Sequence, residues 1–210
     1  MLIKNGQKIV FAGDSVTDAG RKRPVGEGLW EGVGNGYVRL IDSYLAVEYP
    51  QWTIRCVNMG CGGNTSTDLL NRWDTDIVAL NPDWVVLCIG FNDVWRQFDS
   101  PAQTDEAVQP EVFRSNLNEM AKKTKANMIW MTPYYLEPNE NDLMRKRMDE
   151  YGAIMKEEAK KRNIPCIDLQ QAFAEILKYK HSSYIMWDRV HPGHVGSMVI
   201  AREFIRLIQS

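Results

Sequence analysis

The run Trp84-Val85-Val86-Leu87-Cys88-Ile89 is apolar without a break. A strand that faces water on one side alternates apolar and polar residues, so an unbroken run predicts burial on both faces, the condition of a central strand in a parallel sheet. Related runs recur along the chain: Lys8-Ile9-Val10-Phe11-Ala12, Thr53-Ile54-Arg55-Cys56-Val57, Met128-Ile129-Trp130-Met131 and residues 164–169, where Pro165 suits an edge strand. Between them lie segments of helical spacing. Val38, Ile41 and Leu45 precede Pro50; 67–80 precedes Pro82; Phe113, Leu117, Met120 and Ala121 follow Pro110. Met148, Ile154 and Met155 mark another helix, 171–178 a further one, and Val195, Met198, Ala201, Ile205 and Ile208 form one face of the last. This alternation implies an α/β three-layer sandwich, one parallel sheet of about five strands with helices on both faces, in the flavodoxin-like order 2-1-3-4-5. No repeat or low-complexity linker interrupts the 210 residues, so 1–210 is predicted to be a single domain.

A net charge of −2 offers no general attraction to nucleic acid or to an anionic membrane, and no apolar stretch is long enough to span a bilayer. Arg21-Lys22-Arg23 reads as part of a solvated loop within a glycine-rich stretch that also holds Trp30. Of the four cysteines, Cys56, Cys88 and Cys166 fall in strand-like runs, where a thiol behaves as a small hydrophobe; no CxxC pair signals zinc or thiol exchange. With no secretory h-region at Met1-Leu2-Ile3-Lys4-Asn5-Gly6, a reducing, cytoplasmic location is expected.

Parallel strands present their carboxyl ends along one edge, where open α/β sheets bind ligands. The first strand runs into Gly13-Asp14-Ser15-Val16-Thr17 and the second into Asn58-Met59-Gly60-Cys61-Gly62-Gly63-Asn64-Thr65. The third runs into Gly90-Phe91-Asn92-Asp93, and beyond the fifth strand and its helix comes Asp188-Arg189-Val190-His191-Pro192. Singly, these are an Asp-Ser cap, turn glycines, a capping Asn and a surface ion pair. Together they suit acyl transfer. Ser15 is the expected nucleophile and His191 its base; Asp188, three residues earlier, can reach the ring Nδ1–H in a turn and stabilise the imidazolium. Pro192 disfavours helical angles at His191 and keeps it out of the next helix. The N–H groups of Ser15 and Gly63 and the amide of Asn92 are the expected oxyanion donors. Asp14 is expected to bond backbone N–H groups of its turn. His194 reads as a first-turn helix residue and His181 joins no motif, so no metal and no cofactor are expected. Trp30, Trp95, Tyr134, Tyr135 and Trp187 are placed in loops around Ser15, where flat rings either cover a sugar or pack the loops and an oligomer contact.

The blocks Gly13 to Thr17, Asn58 to Thr65, Gly90 to Asp93 and Asp188-xx-His191 resemble, in order and spacing, the four blocks of the SGNH hydrolases, also called the GDSL esterase/lipase family. The resemblance spans nearly the whole chain. It implies the roles just given to Ser15, Gly63, Asn92, Asp188 and His191, although Val16 stands where the family often has Ile or Leu. Asn92-Asp93-Val94-Trp95-Arg96-Gln97 and Trp187-Asp188-Arg189-Val190-His191-Pro192 are similar to the intracellular acetylxylan esterase branch. That implies a serine esterase deacetylating xylo-oligosaccharides, with Trp30, Trp95 and Trp187 as substrate contacts; a homo-oligomer is expected separately, because exposed aromatic loops such as those of Trp30 and Trp95 can form a contact.

Three other readings fit less well. A lipase or thioesterase on longer acyl chains needs an aliphatic groove, and no Leu-, Ile- or Val-rich loop adjoins the Ser15, Gly63 or Asn92 blocks. A nucleotide-binding module lacks the GxGxxG fingerprint, and a catalytically dead sugar-binding domain would normally have lost Ser15, Asp188 or His191. Arg189 is open to either a surface or a substrate role.

Overall fold

A computed structural model describes residues 1–99 and 107–210. Strands β1 (Lys8–Gly13), β2 (Arg55–Asn58), β3 (Trp84–Cys88), β4 (Asn127–Met131) and β5 (Cys166–Ile167) form one sheet in the order β2-β1-β3-β4-β5, every pair parallel. This is the expected class and order. Phe11 of β1, Val86 of β3 and Ile129 of β4 stand level across the sheet and are fully buried, as the apolar runs require.

The helices are α1 (Ser15–Asp18), α2 (Tyr37–Glu48), α3 (Ser66–Asn71), α4 (Trp73–Asp76), α5 (Phe91–Trp95), α6 (Pro110–Lys123), α7 (Leu143–Lys161), α8 (Leu169–Leu177), α9 (Ser182–Ile185) and α10 (His194–Gln209). Right-handed crossovers send the β1-to-β2 connection to one face and the later ones, running the other way along the sheet, to the opposite face. Helix contacts agree: α10 packs on α2 and α8, while α6 packs on α3 and α7. Phe11 reaches the first group, edge-on to Tyr37 of α2 and against Phe204 of α10.

Several local expectations are corrected. The helix expected over 67–80 is broken into α3, α4 and a short 3-10 turn. At the break, Arg72 turns its guanidinium back to Asn64 Oδ1, Met59 O and Gly13 O, and Trp73 is buried with Nε1 donating to Thr124 Oγ1. The fifth strand shrinks to Cys166–Ile167 because Asp168 caps α8 by accepting from Gln171 N, so the helix starts earlier than expected. Asn92 and Trp95 lie on a helix, α5, rather than Trp95 being in a loop; Pro101 of that stretch lies outside the described residues. Met198 is exposed, and α10 buries a face through Ser197, Ala201, Phe204 and Ile208 instead. Arg21 is not solvated: it is buried, with Nε donating to Gly60 O and Nη1 to the carbonyls of Lys22 and Pro24.

Candidate active site

β1 ends at Gly13, where a Cβ would lie 2.3 Å from both Cys88 O and Thr17 Oγ1, so no side chain fits between the strand end and α1. Asp14 caps α1, its Oδ1 accepting from Val16 N at 3.0 Å. That is the backbone role expected of it. Its carboxyl is fully buried, and burial pushes its pKa up to about 8 despite the Val16 N–H, with buried Asp93 adding to the rise. Ser15 opens the helix.

Ser15 Oγ lies 2.8 Å from His191 Nε2, and His191 Nδ1 lies 2.6 Å from Asp188 Oδ2. An ionised carboxylate only accepts, so Nδ1 carries the ring proton and Nε2 is left to accept from the serine hydroxyl. The same aspartate shapes the turn: its Oδ1 accepts from Val190 N at 3.0 Å and His191 N at 2.8 Å. Burial alone would raise the Asp188 carboxyl, but the hydrogen bonds from the His191 ring and from these two N–H groups outweigh it and hold it below the ordinary carboxylate range. The turn is tied to the chain after β4 at two points, Tyr134 Oη to Val190 O (2.9 Å) and Leu136 N to Arg189 O (3.0 Å). Arg189 takes a positive φ of 69° at its centre and pairs with Glu137. Pro192 and Gly193 intervene before α10 starts at His194, so His191 stands outside the helix, as expected.

The second glycine-rich block wraps under Ser15. Cys61 N donates to Gly13 O, Gly60 N to Asn58 Oδ1 and Gly62 N to Asp18 Oδ2. Burial alone would raise the Asp18 carboxyl, but Arg23 and the Gly62 N–H outweigh it and keep it low. This brings Gly63 to the strand edge with φ +81°, a conformation glycine adopts without a Cβ clash. The backbone N–H groups of Ser15 and Gly63 have no partner among the described residues. Asn92, on the first turn of α5, donates one amide hydrogen to Asn64 O at 3.0 Å and keeps the second for a ligand. Ser15, Gly63 and Asn92 thus follow the carboxyl ends of β1, β2 and β3, each with a hydrogen-bond donor that takes no second partner among the described residues.

The predicted aromatics divide. Trp95 lies against the His191 ring, centroids 5.8 Å apart. Trp187 adjoins Asp188 and is 83% exposed. Trp30, 79% exposed, lines a cleft with Arg39, Asp42 and Arg55 beside the amino end of β2; Ser15, Asp188 and His191 take no part in it. Tyr134 is corrected from a rim aromatic to a fully buried support of Val190. Tyr135 is half-buried and its backbone N–H donates to Gln170 Oε1. His194 is exposed on the first turn of α10. Sequence reasoning gave no separate role to Asn58, Arg72, Asp18 or Asp93. Asn58 Nδ2 donates to Thr17 O and Val33 O, and Asp93 accepts from Ser66 N beneath Asn92. Burial pushes the Asp93 carboxyl up to about 7 against the Ser66 hydrogen bonds. The only signal for Asn58, Asp18 and Asp93 was their place inside or next to the four blocks, and Arg72 had none.

The sequence profile of the GDSL-like Lipase/Acylhydrolase family matches residues 11–198. An acetylxylan esterase of Geobacillus stearothermophilus is 44% identical over 211 residues, 99% of this chain and 96% of that protein. Its crystal structure superposes with a TM-score of 0.97, covering 100% of this chain and 97% of the other. Structures of its catalytic mutants, in which a serine, a histidine or an aspartate is replaced by alanine, superpose equally well. An alpha/beta hydrolase enzyme from the metagenome of Lake Arreo, Spain, is 43% identical, with a TM-score of 0.95 over 100% of this chain and 98% of the other.

Proposed function

The chain belongs to the GDSL-like lipase/acylhydrolase family, and from that premise we propose that it is a serine esterase removing O-acetyl groups from carbohydrates, with acetylated xylo-oligosaccharides as its substrates. The observation that carries the reading is the unbroken chain Ser15 Oγ, His191 Nε2, His191 Nδ1, Asp188 Oδ2 at 2.8 and 2.6 Å. The substrate class is supported by the similarity to an acetylxylan esterase and to structures described as those of an acetyl-xylooligosaccharide esterase.

In this reading Ser15 Oγ attacks the acetyl carbonyl carbon while His191 Nε2 takes the hydroxyl proton. The carbonyl oxygen becomes an oxyanion held by Ser15 N–H, Gly63 N–H and the free amide hydrogen of Asn92. The intermediate collapses, the bond from carbon to the sugar oxygen breaks, and His191 returns its proton to that oxygen. Water, deprotonated by His191, then attacks the acetyl-serine; the bond from the acetyl carbon to Ser15 Oγ breaks, His191 returns the proton to Oγ, and acetate leaves. Asp188 holds the ring in the tautomer this cycle needs and stabilises the imidazolium. Trp95, against His191, and Trp187 beside it offer apolar faces to a sugar ring.

We also propose a homo-oligomer, supported by exposed Leu29, Trp30, Tyr184 and Trp187, which light scattering would test. A cytoplasmic location is supported by four free cysteines and would be tested by fractionation. The function itself is tested by kcat/KM on acetyl, butyryl and octanoyl esters of one alcohol beside acetylated xylose. A steep decline beyond acetyl with good turnover of the sugar acetate is expected. A rate rising towards octanoyl would replace this reading with a lipase or thioesterase.

A further inference from the structure

Among the described residues, the side of Gly63 where a side chain would project is open, and the nearest group on it is a cation. A Cβ built at Gly63 would meet, among the described residues, only Nη2 of Arg96 within 4 Å, at 4.0 Å. Arg96 follows Asn92 by one helical turn, its N–H donating to Asn92 O, so both side chains rise from one face of α5. The residue between the strand end and Arg96 that touches the base is Trp95, against His191. The guanidinium is anchored through its other terminal nitrogen, Nη1 donating to Asp99 Oδ2 at 2.5 Å, and the side chain is 32% exposed.

We propose that Arg96 determines specificity on the sugar side of the ester, donating from Nη2 to a hydroxyl or ring oxygen of a neutral acetylated sugar bound at Ser15. This rests on the acetyl-carbohydrate reading above. A guanidinium has donors and no acceptor, so its partner must be an oxygen lone pair. Asp99 already balances its charge, which favours a neutral hydroxyl over a second carboxylate. Anchoring at Nη1 orients the planar fork in advance, so little freedom is lost when Nη2 bonds the substrate. The oxyanion already has three donors in Ser15, Gly63 and Asn92, which leaves Arg96 to the part of the substrate lying past Gly63.

The test compares the full-length protein with Arg96→Met and Arg96→Lys on acetylated xylose and on phenyl acetate, whose alcohol carries neither a free hydroxyl nor a ring oxygen. Arg96→Met is expected to lower kcat/KM on acetylated xylose roughly 10- to 100-fold, mostly through KM, the loss of one charge-assisted hydrogen bond. Phenyl acetate should change by no more than about threefold. Arg96→Lys keeps the charge but not the fork and is expected between the two. If Arg96→Met does not fold, Arg96→Lys carries the same comparison, with the same sign. An equal loss of kcat on both esters would overturn the proposal in favour of a role at the oxyanion, and no loss on either would overturn it outright. A wild-type protein active on phenyl acetate but inert on acetylated xylose would instead bring down the sugar reading itself.

Discussion

Ser15 stands on hydrogen bonds between segments far apart in the chain, those of Asn58 fully buried, whereas His191 is carried by a short turn that solvent reaches. On the Ser15 side, Asn58 joins Thr17 O and Val33 O, and Arg72 spans 59 positions to Gly13 O. On the His191 side, the shaping bonds from Asp188 cross two or three positions, and the His191 side chain is 43% exposed. Among the described residues, Tyr134 Oη, Leu136 N and the Arg189–Glu137 pair tie that turn to the chain after β4. In the proposed reaction the nucleophile and the oxyanion donors must keep sub-ångström positions while charge develops, which a largely buried network provides. In the proposed reaction the base has to exchange protons with the leaving alcohol and with water, which an exposed turn permits.

Removing the nucleophile tests this contrast most severely. Ser15→Ala should lower kcat on the order of 10⁶-fold, and His191→Ala comparably, with unfolding transitions unchanged. His194→Ala should be mild, and the opposite ranking of the two histidines would move the base elsewhere. Next comes the aspartate that serves both turn and ring. Asp188→Asn keeps an acceptor for Val190 N and His191 N but not the tautomer control, so kcat should fall up to about 10⁴-fold with the turn intact. Asp188→Ala loses both functions; if it matched Asp188→Asn in kcat and in stability, the turn would form without its carboxylate.

Asn92→Ala isolates one donor of the rigid side. It should lower kcat by roughly 10²–10³ with little change in KM, the sign of a donor used mainly in the transition state. An effect confined to KM would make Asn92 a substrate contact. The smallest expected effect is Asp14→Asn. The native carboxyl is raised to about 8 by burial, above its ordinary 3.8, so the folded state binds a proton that the unfolded state releases in between. Stability from this group is full below about 3.8 and is lost as pH rises through about 8. An amide keeps the acceptor for Val16 N and carries no charge. Thermal midpoints should therefore favour Asp14→Asn by a few degrees near pH 9 and by little or nothing near pH 4, roughly the scale of 1 kcal/mol or more in a domain this size. A gap that did not grow with pH would show that Asp14 is charged in the folded protein.

Much of the fold could be read from residue order. Apolar runs at 9–12, 84–89 and 128–131 mark strands buried on both faces, because a half-exposed strand alternates. The carboxyl ends of such strands share an edge, so Ser15, Gly63 and Asn92 were brought together by topology alone. Asp188 and His191 were legible for a different reason: their bond is local, three residues apart, and needs only a turn. What stayed hidden is polar and long-range. Arg21 and Arg72 look like solvent-facing cations in sequence, yet each is turned inward to backbone carbonyls that only the packed loops supply. Tyr134 and Trp30 look alike as loop aromatics, and the fold buries one beneath Val190 and leaves the other beside Arg55. Hydrophobic periodicity determines which face of an element is buried; which distant carbonyl satisfies a buried donor is decided only when the elements meet, since every such group must find a partner once water is excluded.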